Sequence, residues 1–242
     1  MTCAASTPSP GVGKAVYAMV SDIHYGIAFS SYAGQYDSDV ATKRLMEYAN
    51  QIIRIGKNAG AKDCYVSLMG DLISGVIHTT IRIENRENLI EQVVGVSELI
   101  AAFLHRLSTH FENVVVNSVD GNHSRIDFSA DDALRAEKLD ALIPWYCKAK
   151  LYNIQNVHFQ DNALDSSIGM FSIMGKTYIS VHGDMDADLK ASVQRIEPMI
   201  GRKIDYMLAG HMHVAELRIE NTGFIRNGSV CGSGDEYTVK KR

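Results

Sequence analysis

The chain has 242 residues, 46% of them apolar, a formal net charge of −4 and a pI near 6.1. That is enough for one domain with a full core and too little for two large ones. The mild negative charge excludes a protein that coats nucleic acid through a broad basic field, though not one that borrows positive charge from a bound metal. The four cysteines, Cys3, Cys64, Cys147 and Cys231, lie far apart with no CxxC pair. They read as scattered reduced thiols, not as a disulfide framework or zinc knuckle. Residues 1–14, rich in Ser, Pro and Gly, make a poor signal peptide and a loose lead-in. No apolar stretch reaches the roughly 18 residues of a membrane span. The expectation is a cytoplasmic protein with no membrane partner and a single domain over 15–242.

In chain order, residues 15–21 are a short apolar run, expected as a buried strand. Residues 40–59 carry helical periodicity through Val40, Leu45, Tyr48, Ile52 and Ile55, with Gly60 as the stop. Residues 64–69 form a second strand. Residues 84–107 form the longest helix candidate, with Leu89, Val93, Val96, Ile100, Phe103 and Leu107 on one stripe. Residues 113–118 are a third strand. Residues 131–149 read as one or two helices broken near Pro144. The tail reads as strands at 156–160, 169–174, 177–181, 204–209, 214–220 and 224–230, with a helix near 188–200. This order predicts an α/β fold: a four-layer α/β/β/α sandwich of two mixed β-sheets flanked by helices.

Five clusters of metal-binding side chains follow these apolar runs: Asp22-Ile23-His24, Gly70-Asp71, Gly121-Asn122-His123, His182-Gly183-Asp184 and Gly210-His211-Met212-His213. Two divalent metals need about seven or eight hard or borderline ligands. Asp22, His24, Asp71, Asn122, His182, His211 and His213 supply seven, with His123 left over. Asp22 and His24 are two apart, so they share one face of an extended segment. The Asp71 carboxylate has two oxygens and can bridge two ions. Glycines 70, 121, 183 and 210 let the backbone turn sharply beside the ligands.

The five blocks in this order resemble the signature of the calcineurin-like metallophosphoesterases, over roughly residues 15–230. The layout, with Gly70-Asp71-Leu72-Ile73, is most similar to SbcD-type nucleases and small phage-type phosphoesterases. The resemblance implies that Asp22, His24, Asp71 and His213 hold one metal. It implies that Asp71, Asn122, His182 and His211 hold the other, Asp71 bridging. Asp71 and His123 would be the catalytic residues, His123 facing the scissile phosphate and assisting the leaving oxygen. Two metals about 3.5–4 Å apart lower the pKa of a bridging water and clamp phosphoryl oxygens. An imidazole with an ordinary pKa near 6.5 suits leaving-group protonation. The donor set suits Mn²⁺ first, with Fe, Zn or Mg as alternatives.

The chain departs from the family in places. Ser124 stands where many relatives have the acid that orients the histidine, so the Ser124 hydroxyl or Asp127 would have to serve. Leu72-Ile73-Ser74-Gly75 replaces the Asp-Arg-Gly continuation of the protein phosphatases, and no tyrosine follows Asp71 as in purple acid phosphatases. The expected activity is hydrolysis of a phosphodiester in nucleic acid or a nucleotide, through water activated between the metals. The alternatives are a phosphomonoesterase and a non-catalytic scaffold. Arg125 and His78 are candidate substrate contacts. Trp145 and Tyr146 either stack on a nucleobase or seal their helix to the body. The segment Asn227-Gly228-Ser229 either rims the site or is a hairpin turn. The 89–107 stripe is core or, in part, a homodimer face.

Overall fold

The computed structural model describes residues 13–127, 129, 134, 137–162, 164–232 and 234. Most of the 1–14 lead-in thus falls outside the described residues. The chain opens with β1 (Lys14–Val20) and a small hairpin, β2 (Phe29–Ser31) and β3 (Gly34–Tyr36), which the hydropathy pattern does not mark. Helix α1 (Ser38–Ala59) starts where the Asp37 side chain accepts the Val40 N–H and ends at Gly60 in the left-handed region. Next come β4 (Ala61–Met69), α2 (Thr79–Glu84) and α3 (Leu89–Ser108). The helix expected over 84–107 is thus α3 alone, starting five residues later, while α2 is a separate short helix that ends at Glu84. Asn88 starts α3 with a reciprocal capping box to Glu91.

Strand β5 (Asn113–Val119) is followed by a 3-10 turn, Leu139–Ala141, that runs into α4 (Leu142–Lys150). Residues 131–133, 135 and 136 of the expected 131–149 helix lie outside the described residues. Pro144 does not break the helix. It sits in the first turn of α4, where a missing N–H leaves no intrahelical bond unmade. The remaining elements are β6 (Val157–Phe159), β7 (Gly169–Ile173), β8 (Lys176–Val181), α5 (Leu189–Ile200), β9 (Tyr206–Ala209), β10 (Glu216–Ile219) and β11 (Gly223–Arg226).

Two sheets result. The first, ordered β1-β4-β5-β6, is parallel throughout. The second, ordered β10-β11-β9-β8-β7, is mixed, with β8, β9 and β11 parallel. Alternation along each strand sends side chains to two cores. Val66, Leu68, Val114 and Val116 pack with Leu45, Ile52, Phe103, Leu104 and Ile143 of the helices. Tyr65, Val115, Phe171 and Ile173 pack between the sheets, as do Met69, Val119 and Leu208. Helix α5 covers the second sheet through Val193 and Ile196. The layers are α/β/β/α. On α3 the stripe is mostly core, while Ile90 and Val94 are exposed. Among the described residues no helix is long and apolar enough to cross a membrane. The carboxyl ends of β1, β4 and β5 and those of β8 and β9 all lead into the expected metal-binding blocks, the edge where α/β folds bind ligands.

Candidate metal centre

Among the described residues six non-glycine positions have positive φ: Asp22 (53°), His24 (48°), Asp71 (51°), Met174 (51°), His211 (67°) and His213 (55°). Five are expected ligands. The left-handed conformation costs an L-residue roughly 1–2 kcal/mol. Such strain persists only where surrounding structure enforces it, and it concentrates at functional sites. Here backbone bonds enforce it. Asp22 N–H donates to Gly70 O (3.1 Å), His24 N–H to Asp71 O (3.0 Å) and Gly210 N–H to His182 O (2.7 Å). Gly70 and Gly183 do supply turns with positive φ. Gly121 and Gly210 act differently, through close approach. A Cβ on Gly121 would lie 2.2 Å from both Asp71 N and Oδ1, and one on Gly210 would lie 2.7 Å from Asp22 Oδ2.

These strand ends bring all seven expected ligands together in two groups. In the first, His24 Nε2 lies 3.2 Å from His213 Nε2 and 4.0 Å from Asp22 Oδ1, and His213 Nε2 is 3.4 Å from Asp22 Oδ1. In the second, His182 Nε2 lies 3.1 Å from Asn122 Oδ1 and 3.2 Å from His211 Nδ1. Asp71 Oδ2 stands between them, 3.9 Å from His24 Nε2 and 3.1 Å from His182 Nε2. Atoms about 2.0–2.2 Å from a shared ion sit roughly 3–3.5 Å apart on neighbouring vertices, so the donors fit two metal ions with little adjustment. Asp71 Oδ1 accepts the His123 N–H (2.8 Å). One Asp71 oxygen, not two, therefore faces both groups.

Cys231 is a donor that the sequence did not single out. Its Sγ and ring nitrogens of His24 and His213 all lie within 4.8 Å of one another. Ser229 Oγ and Cys231 N–H both donate to Asp22 O (3.0 and 3.3 Å), which holds the segment there. Asn227 Nδ2 donates to Ser21 Oγ (2.9 Å). Residues 227–229 thus rim the site and do not form a hairpin turn.

Asp22, His24, Asp71 and His182 are buried while Asn122, His211 and His213 are partly exposed, and the charges of the site act on one another. Burial alone would raise Asp22 and Asp71, but the neighbouring histidines outweigh it and hold both below the usual carboxylate range. Burial opposes protonation of His182, but Asp71 and Asp22 raise it. Burial, then the nearby His123, pushes His24 down to about 3. Burial, then His182, also lowers His211.

His123 is buried, its ring centroid 4.6 Å from that of His24 and 5.2 Å from that of His78. Its Nδ1 lies 2.8 Å from Ser74 O. A carbonyl can only accept, so Nδ1 carries the proton of that bond and Nε2 is the nitrogen left for chemistry. The Ser74 carbonyl is thus the partner that orients His123. Neither sequence candidate does so: Ser124 Oγ donates to Gly121 O (3.2 Å), and Asp127 Oδ1 accepts the Ser129 N–H (2.9 Å). Gln92, fully buried on α3, holds the Ser74 loop by accepting the Gly75 N–H at Oε1 (2.9 Å). His78 lies beside His123, whereas Arg125 Nε turns to Asp127 O (3.1 Å).

Asp140 also escaped the sequence pattern. It is wholly buried, and its Oδ2 accepts the Gly121 N–H (2.9 Å). Its Oδ1 has no hydrogen-bond partner among the described residues. Burial, then the Asp71 charge, pushes it up to about 7. A lone Asp in a helical context carries no sequence signal for this role.

No family model matches the chain, and no curated protein does. Several solved structures are similar. One is a protein described as a predicted phosphoesterase from Streptococcus pneumoniae, at 14% identity, 88% of this chain, 71% of that one and a TM-score of 0.34. Another is Vacuolar Protein Sorting 29 from Cryptosporidium parvum, at 12% identity, 92% and 77% coverage and a TM-score of 0.40. A third is Phosphopantetheinyl Hydrolase from Mycobacterium tuberculosis, at 10% identity, 95% and 93% coverage and a TM-score of 0.37.

Proposed function

We propose that the chain is a calcineurin-like metallophosphoesterase that hydrolyses phosphodiesters at a binuclear metal site. The observation that carries this is the pair of donor groups sharing Asp71 Oδ2, with His123 beside them. Asp22, His24, Asp71 and His213 would hold one metal, and Asp71, Asn122, His182 and His211 the other. Metals bound there supply Lewis-acid charge and lower the pKa of bound water. Four imidazoles, two carboxylates and an amide suit Mn²⁺, Fe or Zn, with Mn²⁺ the first to try.

The chain's own groups do the rest. Asp71 Oδ1 accepts the His123 N–H and so ties the acid's backbone to the ligand set. The Ser74 carbonyl fixes the ring so that Nε2 can pass a proton to the departing oxygen. His78 stands next to that ring, where it could also meet a substrate phosphate. The neutral Asn122 limits negative charge around an anionic substrate.

Mn²⁺-loaded protein assayed with bis-p-nitrophenyl phosphate and with p-nitrophenyl phosphate tests this. Faster diester turnover supports the proposal. Turnover of the monoester alone makes the enzyme a phosphomonoesterase. No turnover, with less than one metal per chain, makes it a scaffold.

A further inference from the structure

Two cavities meet beside the metal centre along Asp120, Asp165 and Ser166. The first, about 300 Å³, reaches His182 and carries Asp184 and Lys138 on its walls. The second, about 380 Å³, lies at the carboxyl ends of β5 and β6, between Asn117, Phe159, Asn162 and Trp145. We propose that the second cavity binds the nucleobase of a nucleoside phosphodiester whose phosphate lies at the metal centre. This rests on the function proposed above and names its substrate class.

The aromatic wall is the first argument. Trp145 is the only tryptophan in the chain and is 66% exposed. It is not what docks its helix. Ile143 and Cys147 are the buried residues of α4, and Tyr146 binds Glu98 on α3. The aromatic pair seen in the sequence is therefore divided, with Tyr146 fixing the helix and Trp145 lining the cavity. Phe159 of β6 adds a second ring. Bases stack on such side chains because every base offers a π-face.

The polar wall is the second argument. Asn117 is 2% exposed, and its Oδ1 accepts the Ser67 hydroxyl (2.6 Å), which fixes the amide. Its Nδ2 has no hydrogen-bond partner among the described residues, and neither has Asn162 Oδ1. The other end of Asn162 is anchored, since Nδ2 donates to Ser118 O (2.6 Å). Asn117 Nδ2 and Asn162 Oδ1 are both shut off from solvent, and Asn117 Nδ2 lies against Gly169 between the sheets, so neither faces the cavity. Gln160, Asn162 and Ser166 give it a polar rim beside the flat apolar walls. A planar ring with donors and acceptors on its edge, as in a nucleobase, matches both walls.

The acidic cavity between base and metals is the third. Asp120, Asp165 and Asp184 outnumber Lys138 there. Carboxylates accept sugar hydroxyls, as they do in dinucleotide sites, and repel further phosphates. The occupant is then a nucleoside ester with one phosphate at the metals, not a long polynucleotide.

Trp145 reports on its own cavity. Fluorescence titration with AMP, a cyclic nucleotide, ribose 5-phosphate and oligothymidylate in EDTA separates binding from catalysis. Saturable quenching by the nucleotides, but not by ribose 5-phosphate, is expected, with Phe159→Ala weakening it about tenfold. With Mn²⁺, Trp145→Ala should lower kcat/KM for a cyclic nucleotide about ten- to a hundredfold. Metal bound per chain should stay at the wild-type level. No saturable quenching, or equal quenching by ribose 5-phosphate, means that the cavity holds only water. Strongest binding of oligothymidylate overturns the mononucleotide assignment. Quenching as expected in a protein that hydrolyses no ester leaves the base site standing and overturns the catalytic proposal alone.

Discussion

His123 differs from a carboxylate-steadied histidine because its partner is a neutral carbonyl, Ser74 O. If it acts on the leaving oxygen, the need for it grows as the leaving group worsens. His123→Ala should cost about 10²–10⁴ in kcat for a diester with an alkyl leaving group. It should cost far less for p-nitrophenyl esters, with metal content unchanged. Equal losses on both would remove His123 from that role. Asp140 gives a second residue-level test. Its pKa rises from 3.8 to about 7 on folding, so the folded protein binds a proton that the unfolded chain releases. The stability this contributes is fully present below 3.8 and is lost as pH rises toward about 7. In metal-free protein, melting temperature should therefore fall across that window for wild type relative to Asp140→Asn. Parallel curves would show that Asp140 ionises freely in the fold.

At the scale of elements, the site depends on turns that other elements hold in place. Gln92 of α3 accepts the Gly75 N–H and so supports the loop after β4 that carries Ser74. Gln92→Leu leaves that buried N–H unpaired, at about 1–3 kcal/mol of stability. It should also slow hydrolysis of poor-leaving-group esters while metal content stays at wild-type level. Loss of metal together with activity would instead mean general collapse of the site. The approach of the β5 loop to the β4 loop gives a sharper case. An added methyl at Gly121 would press on Asp71 N and Oδ1. Gly121→Ala should cost roughly 1–3 kcal/mol in urea denaturation and lower the metal bound per chain.

At the scale of the molecule, the proposed ligands come from both sheets. Asp22, His24, Asp71 and Asn122 follow strands of the parallel sheet, while His182, His211 and His213 follow strands of the mixed one. Metal bound as proposed would therefore clamp the two layers. At a thousand times its Kd, one bound ion stabilises by about 4 kcal/mol. A chain of this size gains about 2–4 °C in melting temperature per kcal/mol. Titrating Mn²⁺ or Zn²⁺ into chelator-stripped protein should thus raise Tm by roughly 10 °C, in one cooperative transition. An unchanged Tm with metal bound would mean that the ligands do not bridge the layers.

Much of this was legible in the chain. Strands and helices followed from apolar periodicity, a local property, and the five blocks fell at strand ends because short ligand-Gly motifs are local too. The seven candidate ligands were therefore identifiable by type and order. What the sequence could not carry was everything made by distant backbone. The Ser74 carbonyl under His123 has no side-chain trace, and the acid absent at 124 pointed to Asp127, which faces elsewhere. Asp140 and Cys231 looked like ordinary helix and tail residues until folding set them beside Gly121 and Asp22. Residues 84–88 continued a helical stripe, but the break there is made by the Asn88 cap and by the Arg86 N–H donating to Gly26 O. Residue types and their order are set along the chain; which Asp71 oxygen faces both donor groups, what steadies His123 and where Trp145 points are set by contacts between residues far apart in it.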